Sequence, residues 1–211
     1  MADARRLPPR LLWISPGTGL DHDLVRRLNL AAQAGLRGFQ LREKASFARH
    51  LVDFAPSLRA ALPGPESLLL VNDRVDVCRA AGYDGVQLSH ASISIRSARA
   101  QLGADAWIGA SVHDERQLAS AEDEGADFVI VSPVFLVRKR GMAPAPPLGL
   151  LGLRTLSRRS ALPVLALGGI HGGNVLEVLD QGVHGVAVQS AVASAADPRA
   201  VVADLLAKLG S

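Results

Sequence analysis

Eight short runs rich in Val, Ile and Leu punctuate the chain at residues 11–15, 38–42, 68–72, 85–89, 107–111, 128–132, 163–167 and 185–189. Each is almost continuously apolar, the pattern of a strand buried on both faces. Between them lie helix-like segments at residues 23–34, 47–61, 115–124, 174–181 and 198–209, several followed by the glycine that often closes a helix. Strand and helix alternate throughout, so a parallel sheet covered by helices is expected. Eight such units in 211 residues suit a closed barrel better than an open six-stranded sheet. The expected fold is therefore α/β, a (β/α)8 TIM barrel forming a single compact domain over residues 1–211.

Composition agrees with that core. Hydrophobic residues make up 48% of the chain and aromatics 4%, so the interior must be aliphatic, and a disordered or collagen-like chain is excluded. The single Cys78 can form neither an internal disulfide nor a cysteine metal cluster, which suits a reducing cytoplasm. No apolar run approaches the roughly 20 residues of a membrane span, so a cytoplasmic protein without a membrane partner is expected. Lys and Arg exceed Asp and Glu by 23 to 20, and the excess is scattered apart from the run Arg138, Lys139 and Arg140. Without an aromatic ladder beside it, nucleic acid is not expected as a partner; a small anionic substrate is. The sequence leaves homo-oligomerisation open.

The phrases Gly82-Tyr-Asp-Gly-Val86, Gly125-Ala-Asp-Phe-Val129 and Gly182-Val-His-Gly-Val186 repeat a helix end, a turn and a strand start. They fall at the N-terminal face of the expected barrel, where residues serve stability, and are assigned no chemistry.

In such a barrel, chemistry gathers at the C-terminal strand ends. Gln40, Arg42, Glu43 and Lys44 follow the second strand, Asn72 and Asp73 the third, and Gln87, Ser89 and His90 lie along or after the fourth. Ser111 and His113 belong to the fifth strand end and Ser132 to the sixth. Gly168 and Gly169 follow the seventh strand and Gln189 and Ser190 the eighth, where barrels commonly hold phosphate with backbone N–H groups. Arg42 and Lys44 could meet a second anion, with Glu43 balancing their charge or Asp73 pairing with them. His113 is placed as a neutral-pH acid or base, whereas His22, His50 and His184 read as structural or solvated and His90 and His171 as flanking-loop residues. No histidine pair has helical metal-site spacing, so no protein-built metal site is expected. The one long irregular segment, residues 136–148, is of a length often tied to function.

Taken together, Gln40-Leu-Arg-Glu-Lys44, Asn72-Asp-Arg74, Gly85-Val-Gln-Leu88, Gly109-Ala-Ser-Val-His113, Gly125-Ala-Asp-Phe128, Pro133-Val-Phe135, Ala166-Leu-Gly-Gly-Ile170 and Gly185-Val-Ala-Val188 resemble the thiamine phosphate synthase and TenI superfamily over roughly the whole chain. The resemblance implies a barrel acting in thiamine biosynthesis on a small phosphorylated thiazole. Similarity to a synthase, which joins a pyrimidine pyrophosphate to a thiazole phosphate, would assign Arg42, Lys44, Asn72 and Ser111 to the pyrophosphate and Asp73 to magnesium. Two departures stand out. The family's His-Leu-Gly-Gln-x-Asp stretch reads Gln87-Leu-Ser-His-Ala-Ser92, putting Ser92 at the second magnesium aspartate. Its Pro-Thr-x-Thr-Lys segment reads Leu136-Val-Arg-Lys-Arg140, keeping only the terminal cation, Arg140.

Those losses lead to the expectation of a TenI-like thiazole tautomerase, an isomerase needing an acid/base histidine and no cofactor. On that reading His113 moves the proton, Gly168, Gly169, Gln189 and Ser190 hold phosphate, and Gln40, Arg42, Lys44, Asn72, Ser111 and Arg140 meet the rest of the substrate. The alternative is a divergent synthase, for which Mg2+ would be the cofactor and the run ending at Arg140 would replace the missing threonines. A third reading is a phosphate-ligand-binding or regulatory barrel without turnover.

Overall fold

Strand β1 (Leu11–Ile14) pairs in parallel with both β2 (Gly38–Leu41) and β8 (Gly185–Val188), so the sheet has no free edge. The computed structural model describes residues 6–136 and 146–210. Around the ring, β3 (Leu68–Asn72), β4 (Gly85–Leu88), β5 (Trp107–Val112), β6 (Phe128–Val131) and β7 (Val164–Leu167) complete a closed eight-stranded barrel in sequence order. The helices are α1 (His22–Gln33), α2 (Ala48–Ala61), α3 (Val75–Ala81), α4 (Ile95–Leu102), α5 (Glu115–Glu124), α6 (Gly149–Arg159), α7 (Val175–Leu179), α8 (Ser190–Ala193) and α9 (Pro198–Leu209). The protein is thus the (β/α)8 barrel expected from its alternating runs. Four of the described helices, α3, α4, α6 and α8, were not singled out in the sequence. All but α6 are at most eight residues long, too short to print a strong amphipathic period.

Side-chain alternation divides the apolar residues into two sets. Leu12, Ile14, Leu68, Leu70, Phe128, Ile130, Leu165 and Ala187 fill the barrel interior, while their strand neighbours, such as Leu11, Trp13, Leu69, Val129 and Val186, pack outward against the helices. Burying each such aliphatic side chain contributes about 1.5–3 kcal/mol before the cost of ordering it. Near the top of the interior, β5 requires a glycine: a Cβ on Gly109 would lie 2.1 Å from Gln87 Oε1 and 2.3 Å from Phe128 Cζ. Helix starts are fixed locally, with Asp21 accepting from the Leu24 N–H, Ser94 from Ser97 and Asp114 from Gln117, caps worth roughly 1 kcal/mol each.

The N-terminal face is a network of clamps, and the three repeated turns supply its centres. Asp84 Oδ2 accepts the Leu69 N–H at 2.6 Å and Arg59 Nη2 at 2.8 Å. Asp127 Oδ2 accepts the Ile108 N–H at 2.6 Å, Arg99 at 2.8 Å and Arg6 at 3.4 Å, while the Arg6 guanidinium stacks 4.0 Å from the centre of the Trp107 ring. At the third turn His184 Nε2 meets the Pro8 carbonyl at 2.7 Å. Among the described residues no helix is long and apolar enough to cross a membrane.

Candidate active site

At the opposite end, polar side chains replace the aliphatic layers. Gln40 on β2 and Gln87 on β4 are each 2% exposed and form the floor of the mouth, with Asn72 and Ser111 from β3 and β5 between and beside them. Gln40 Nε2 donates to Asn72 Oδ1 at 3.0 Å, Asn72 Nδ2 donates to Asp73 Oδ2 at 2.7 Å, and Gln87 Nε2 donates to Ser111 Oγ at 3.2 Å. The polarity of this chain has one origin. An ionised carboxylate only accepts, so Asp73 turns the Asn72 amide nitrogen toward itself; the Asn72 oxygen then faces Gln40 and draws the Gln40 nitrogen. The Oε1 atoms of Gln40 and Gln87 are left buried without a hydrogen-bond partner among the described residues, a costly arrangement in a core and a useful one where a ligand supplies N–H groups.

Arg42 and Lys44 stand above this floor with Glu43 between them, and the expected charge balance does not form. Glu43 is 6% exposed and turned into the loop after β1, where Oε1 accepts from Ser15 Oγ at 2.7 Å and the Gly17 N–H at 3.0 Å, and Oε2 from the Gly19 N–H at 2.8 Å. Ser15 Oγ in turn accepts the Arg42 N–H at 2.8 Å. The carboxylate therefore organises the β1 loop, and among the described residues neither the Arg42 guanidinium nor the Lys44 ammonium has a carboxylate partner. Asp73 does not pair with them either. Nor does Arg74 add a cation to the mouth, since it closes on Asp76, raising its own pKa and holding the Asp76 carboxyl below the ordinary range.

Across the mouth, Gly168 and Gly169 adopt φ of 117° and 67°, backbone that favours glycine. A Cβ on Gly168 would also lie 2.9 Å from Pro133 Cα and Val134 N. The turn is fixed by its carbonyls: Gly168 O accepts the Phe135 N–H at 3.1 Å and Gly169 O accepts Asn174 Nδ2 at 3.0 Å. Facing it, α8 starts at Ser190, whose first-turn N–H groups have no intrahelical acceptor. The Gln189 side chain is spent on structure, donating to the Ser15 carbonyl at 2.9 Å, so only its backbone remains for a ligand.

His113 lies just past β5 with its ring anchored, Nδ1 being 2.5 Å from the Ser132 carbonyl. A carbonyl can only accept, so Nδ1 carries a proton, and in the neutral ring the lone pair is on Nε2. His90, expected to be merely a flanking-loop residue, is exposed but lies edge-on to His113 with ring centres 6.1 Å apart. Arg140 and the rest of the Arg138–Arg140 run fall outside the described residues; the chain re-enters the barrel where Leu148 and Gly149 donate to the Pro133 and Val134 carbonyls. Cys78 on α3, pushed up to about 11 by burial, and Tyr83 just beyond that helix, also raised by burial, belong to the core between the strands and the helices.

The donors around Asp73 do not fit a protein-built magnesium site. Asp73 Oδ1 accepts from the Ser89 N–H at 2.7 Å and from Ser92 Oγ, and Oδ2 from Asn72 Nδ2 and Ser89 Oγ at 3.2 Å. The four acceptor positions of the carboxylate are all engaged. Among the described residues no group of three or more His, Cys, Asp or Glu side chains is placed to hold a metal.

Comparison with known proteins extends this geometry. The family model described as thiamine monophosphate synthase matches residues 11–192. The thiamine-phosphate synthase of a Psychrobacter species is 35% identical over 191 residues, covering 89% of each chain, and that of Methanoculleus marisnigri is 38% identical over 190 residues, covering 90% of this chain and 88% of the relative. A solved structure of thiamine phosphate pyrophosphorylase from Pyrococcus furiosus superposes with a TM-score of 0.84 at 33% identity, covering 95% of each chain. These relatives overturn the expectation of a TenI-like tautomerase: they are named as synthases, which are transferases, and the isomerase reading falls. The departure at Ser92 changes one donor while Arg42, Lys44, the floor and the glycine turn stay in place, and residues 137–140 lie outside the described residues.

Proposed function

The chain belongs to the thiamine monophosphate synthase family, and from that premise we propose that it is a thiamine-phosphate synthase, joining a pyrimidine pyrophosphate to a thiazole phosphate. The observation that supports the reading is that two separate groups of residues suited to anions lie on one barrel face. Arg42 and Lys44, left without carboxylate partners among the described residues, form one; the Gly168–Gly169 turn with the start of α8 forms the other. A reaction between two phosphorylated heterocycles requires both.

In the proposed complex the pyrophosphate lies against Arg42 and Lys44, with Asn72 and Ser111 as polar contacts, and Arg140 is a further cation available to it. The pyrimidine rests on the floor, where the bare oxygens of Gln40 and Gln87 accept N–H groups. The thiazole phosphate is held by backbone N–H groups of Gly168, Gly169, Gln189 and Ser190. The thiazole ring nitrogen then donates its lone pair to the pyrimidine's methylene carbon, a C–N bond forms, the C–O bond to pyrophosphate breaks, and that electron pair departs on the leaving group. Negative charge grows on pyrophosphate as the bond breaks, so cations fixed beside it stabilise the transition state more than the ground state. No substrate proton is removed. His113, its tautomer set by Ser132, acts in this scheme as a wall and hydrogen-bond acceptor. The donor set of Asp73 gives no basis for routing a step through a resident metal.

The test is direct. Purified protein given both phosphorylated heterocycles in Mg2+-containing buffer should release pyrophosphate and form thiamine phosphate in equal amounts by chromatography; absence of both products from folded protein would overturn the proposal.

A further inference from the structure

We infer that Ser15 is the joint that fixes the spacing between the proposed pyrophosphate and phosphate positions, and that Gln189 is the positioning residue that closes it from β8. The joint itself is a set of hydrogen bonds in the free protein; its effect on coupling rests on the synthase reading. The barrel order sets β8, β1 and β2 side by side, so β1 lies between the Arg42–Lys44 segment and the β8 end beside the Gly168–Gly169 turn. Strand pairing stops short of the mouth: its last partners on β1 are Ile14 with Gln40 and Trp13 with Val188. Beyond that level the spacing depends on Ser15, the first residue past β1, which is completely buried and has each polar group engaged. Its N–H donates to the Gln40 carbonyl at 2.9 Å, and its Oγ donates to Glu43 Oε1 at 2.7 Å while accepting the Arg42 N–H at 2.8 Å. Those three bonds lead to the β2 end. The fourth runs the other way, the Ser15 carbonyl accepting Gln189 Nε2 at 2.9 Å.

Glu43 stiffens the joint. Its buried carboxylate also takes the Gly17 and Gly19 N–H groups, which draws the loop after β1 onto the β2 end. Gly17, at φ 81°, comes close enough that a Cβ there would lie 3.5 Å from the Arg42 carbonyl oxygen. Bonds to an ionised acceptor are stronger than neutral ones, and breaking one leaves a buried polar group unpaired. Joining two heterocycles requires the attacking nitrogen and the methylene carbon to lie about 3–3.5 Å apart and in line with the leaving oxygen. Each substrate is tethered by its own anionic group, so the spacing of the tethers sets that approach, and a displacement on the order of 1 Å can cost roughly 100-fold in rate. Neither tether needs the joint for its own contacts. Loosening it therefore acts on kcat and leaves each binding step in place.

Gln189→Met keeps the side-chain length and removes the donor, and two readouts on the full chain decide. In amide hydrogen exchange of the free protein, the Arg42 N–H should be protected in wild type and should exchange about tenfold faster or more in Gln189→Met, although the lost bond lies on the opposite side of Ser15. In steady-state coupling, kcat should fall about tenfold while the KM of each substrate stays within about twofold of wild type. Ser15→Ala, which removes the bonds to both Glu43 and Arg42, should show the same split with a larger loss of kcat, and Ser15→Thr, which keeps the hydroxyl, should recover most of it. Unchanged exchange at Arg42 in Gln189→Met would overturn the inference. So would a wild-type kcat, with or without a lowered melting temperature, or a rise in one KM alone, which would put the side chain on a single substrate. If Gln189→Met fails to fold, Gln189→Asn, which carries the donor one methylene short, is read in the same two ways. Absence of coupling by folded wild type counts against the synthase reading, and exchange at Arg42 then decides the joint by itself.

Discussion

The two faces of the barrel use the same residue type for opposite ends. On the N-terminal face, Arg6, Arg59 and Arg99 each reach a carboxylate, at Asp127, Asp84 and Asp127 respectively. On the C-terminal face, Arg42 has no such partner among the described residues, because the adjacent carboxylate, Glu43, is consumed by Ser15, Gly17 and Gly19. A paired arginine lowers the free energy of the folded chain by a modest amount. An arginine kept apart from nearby carboxylates retains its attraction for an incoming anion, and the buried hydrogen bonds of Glu43 support that separation. The comparison separates residues that should register in stability from residues that should register in turnover.

The largest effect should come from the unpaired side. Arg42→Ala is expected to reduce kcat/KM for coupling by on the order of 100- to 1,000-fold, about 3–4 kcal/mol, as for loss of a charge-stabilising donor at a leaving group. Its melting temperature should hardly move. Arg42→Lys should recover part of the rate, since a point charge replaces a fork. A large melting shift with catalysis intact would break the contrast between the faces. The next effect lies on the paired side: Asp127→Ala removes the acceptor shared by Ile108, Arg99 and Arg6 and should cost roughly 2–3 kcal/mol in denaturant unfolding. Turnover per folded molecule should be unchanged.

Much of this contrast was legible in the sequence, and the part that was not has a physical cause. The eight apolar runs predict the strands to within a residue at each end, because a strand buried on both faces has few ways to be written. The repeated turns at Asp84, Asp127 and His184 were placed on the stabilising face for the same topological reason. Gln40, Arg42, Lys44, Asn72, Ser111 and the Gly168–Gly169 turn come to one mouth because strand ends of a parallel barrel converge. The role of Glu43 is not legible in the sequence because two of its three donors, Gly17 and Gly19, are backbone N–H groups some 25 residues away, and backbone donors leave no side-chain signal. Ser15 and the two glycines after β1 are the hints it offers. The hydrogen bonds that close on Asp73 are hidden in the same way: in the sequence Ser92 reads as a lost carboxylate, whereas its hydroxyl is a gained donor. That substitution and the lost threonines of the 136–140 segment, both weighed as losses, underlie the tautomerase expectation which the synthase relatives correct.

A third measurement sharpens the comparison within the mouth. Gly169→Ala places a Cβ 3.0 Å from Phe135 Cβ at φ 67°, a strained position for any residue but glycine. If this turn holds the thiazole phosphate through its backbone, the KM for that substrate should rise about tenfold, roughly 1.4 kcal/mol, while affinity for inorganic pyrophosphate stays constant. Equal losses for both ligands would show that the two anion positions are one.

The smallest expected effect is the strictest test of the division between faces. Arg59 bonds Asp84 at 2.8 Å, and its side chain is 38% exposed. Water screens the pair, and Asp84 keeps its stronger obligation to the Leu69 N–H when the arginine is removed. Arg59→Ala should therefore cost only about 0.5 kcal/mol, less in high salt than in low, with kcat/KM for coupling the same as wild type. The comparison with Arg42→Ala holds residue type and truncation fixed and changes only the face of the barrel. If Arg59→Ala slowed coupling tenfold or more without unfolding the protein, arginines on the two faces could not be divided into stabilising and functional sets by whether a carboxylate has claimed them.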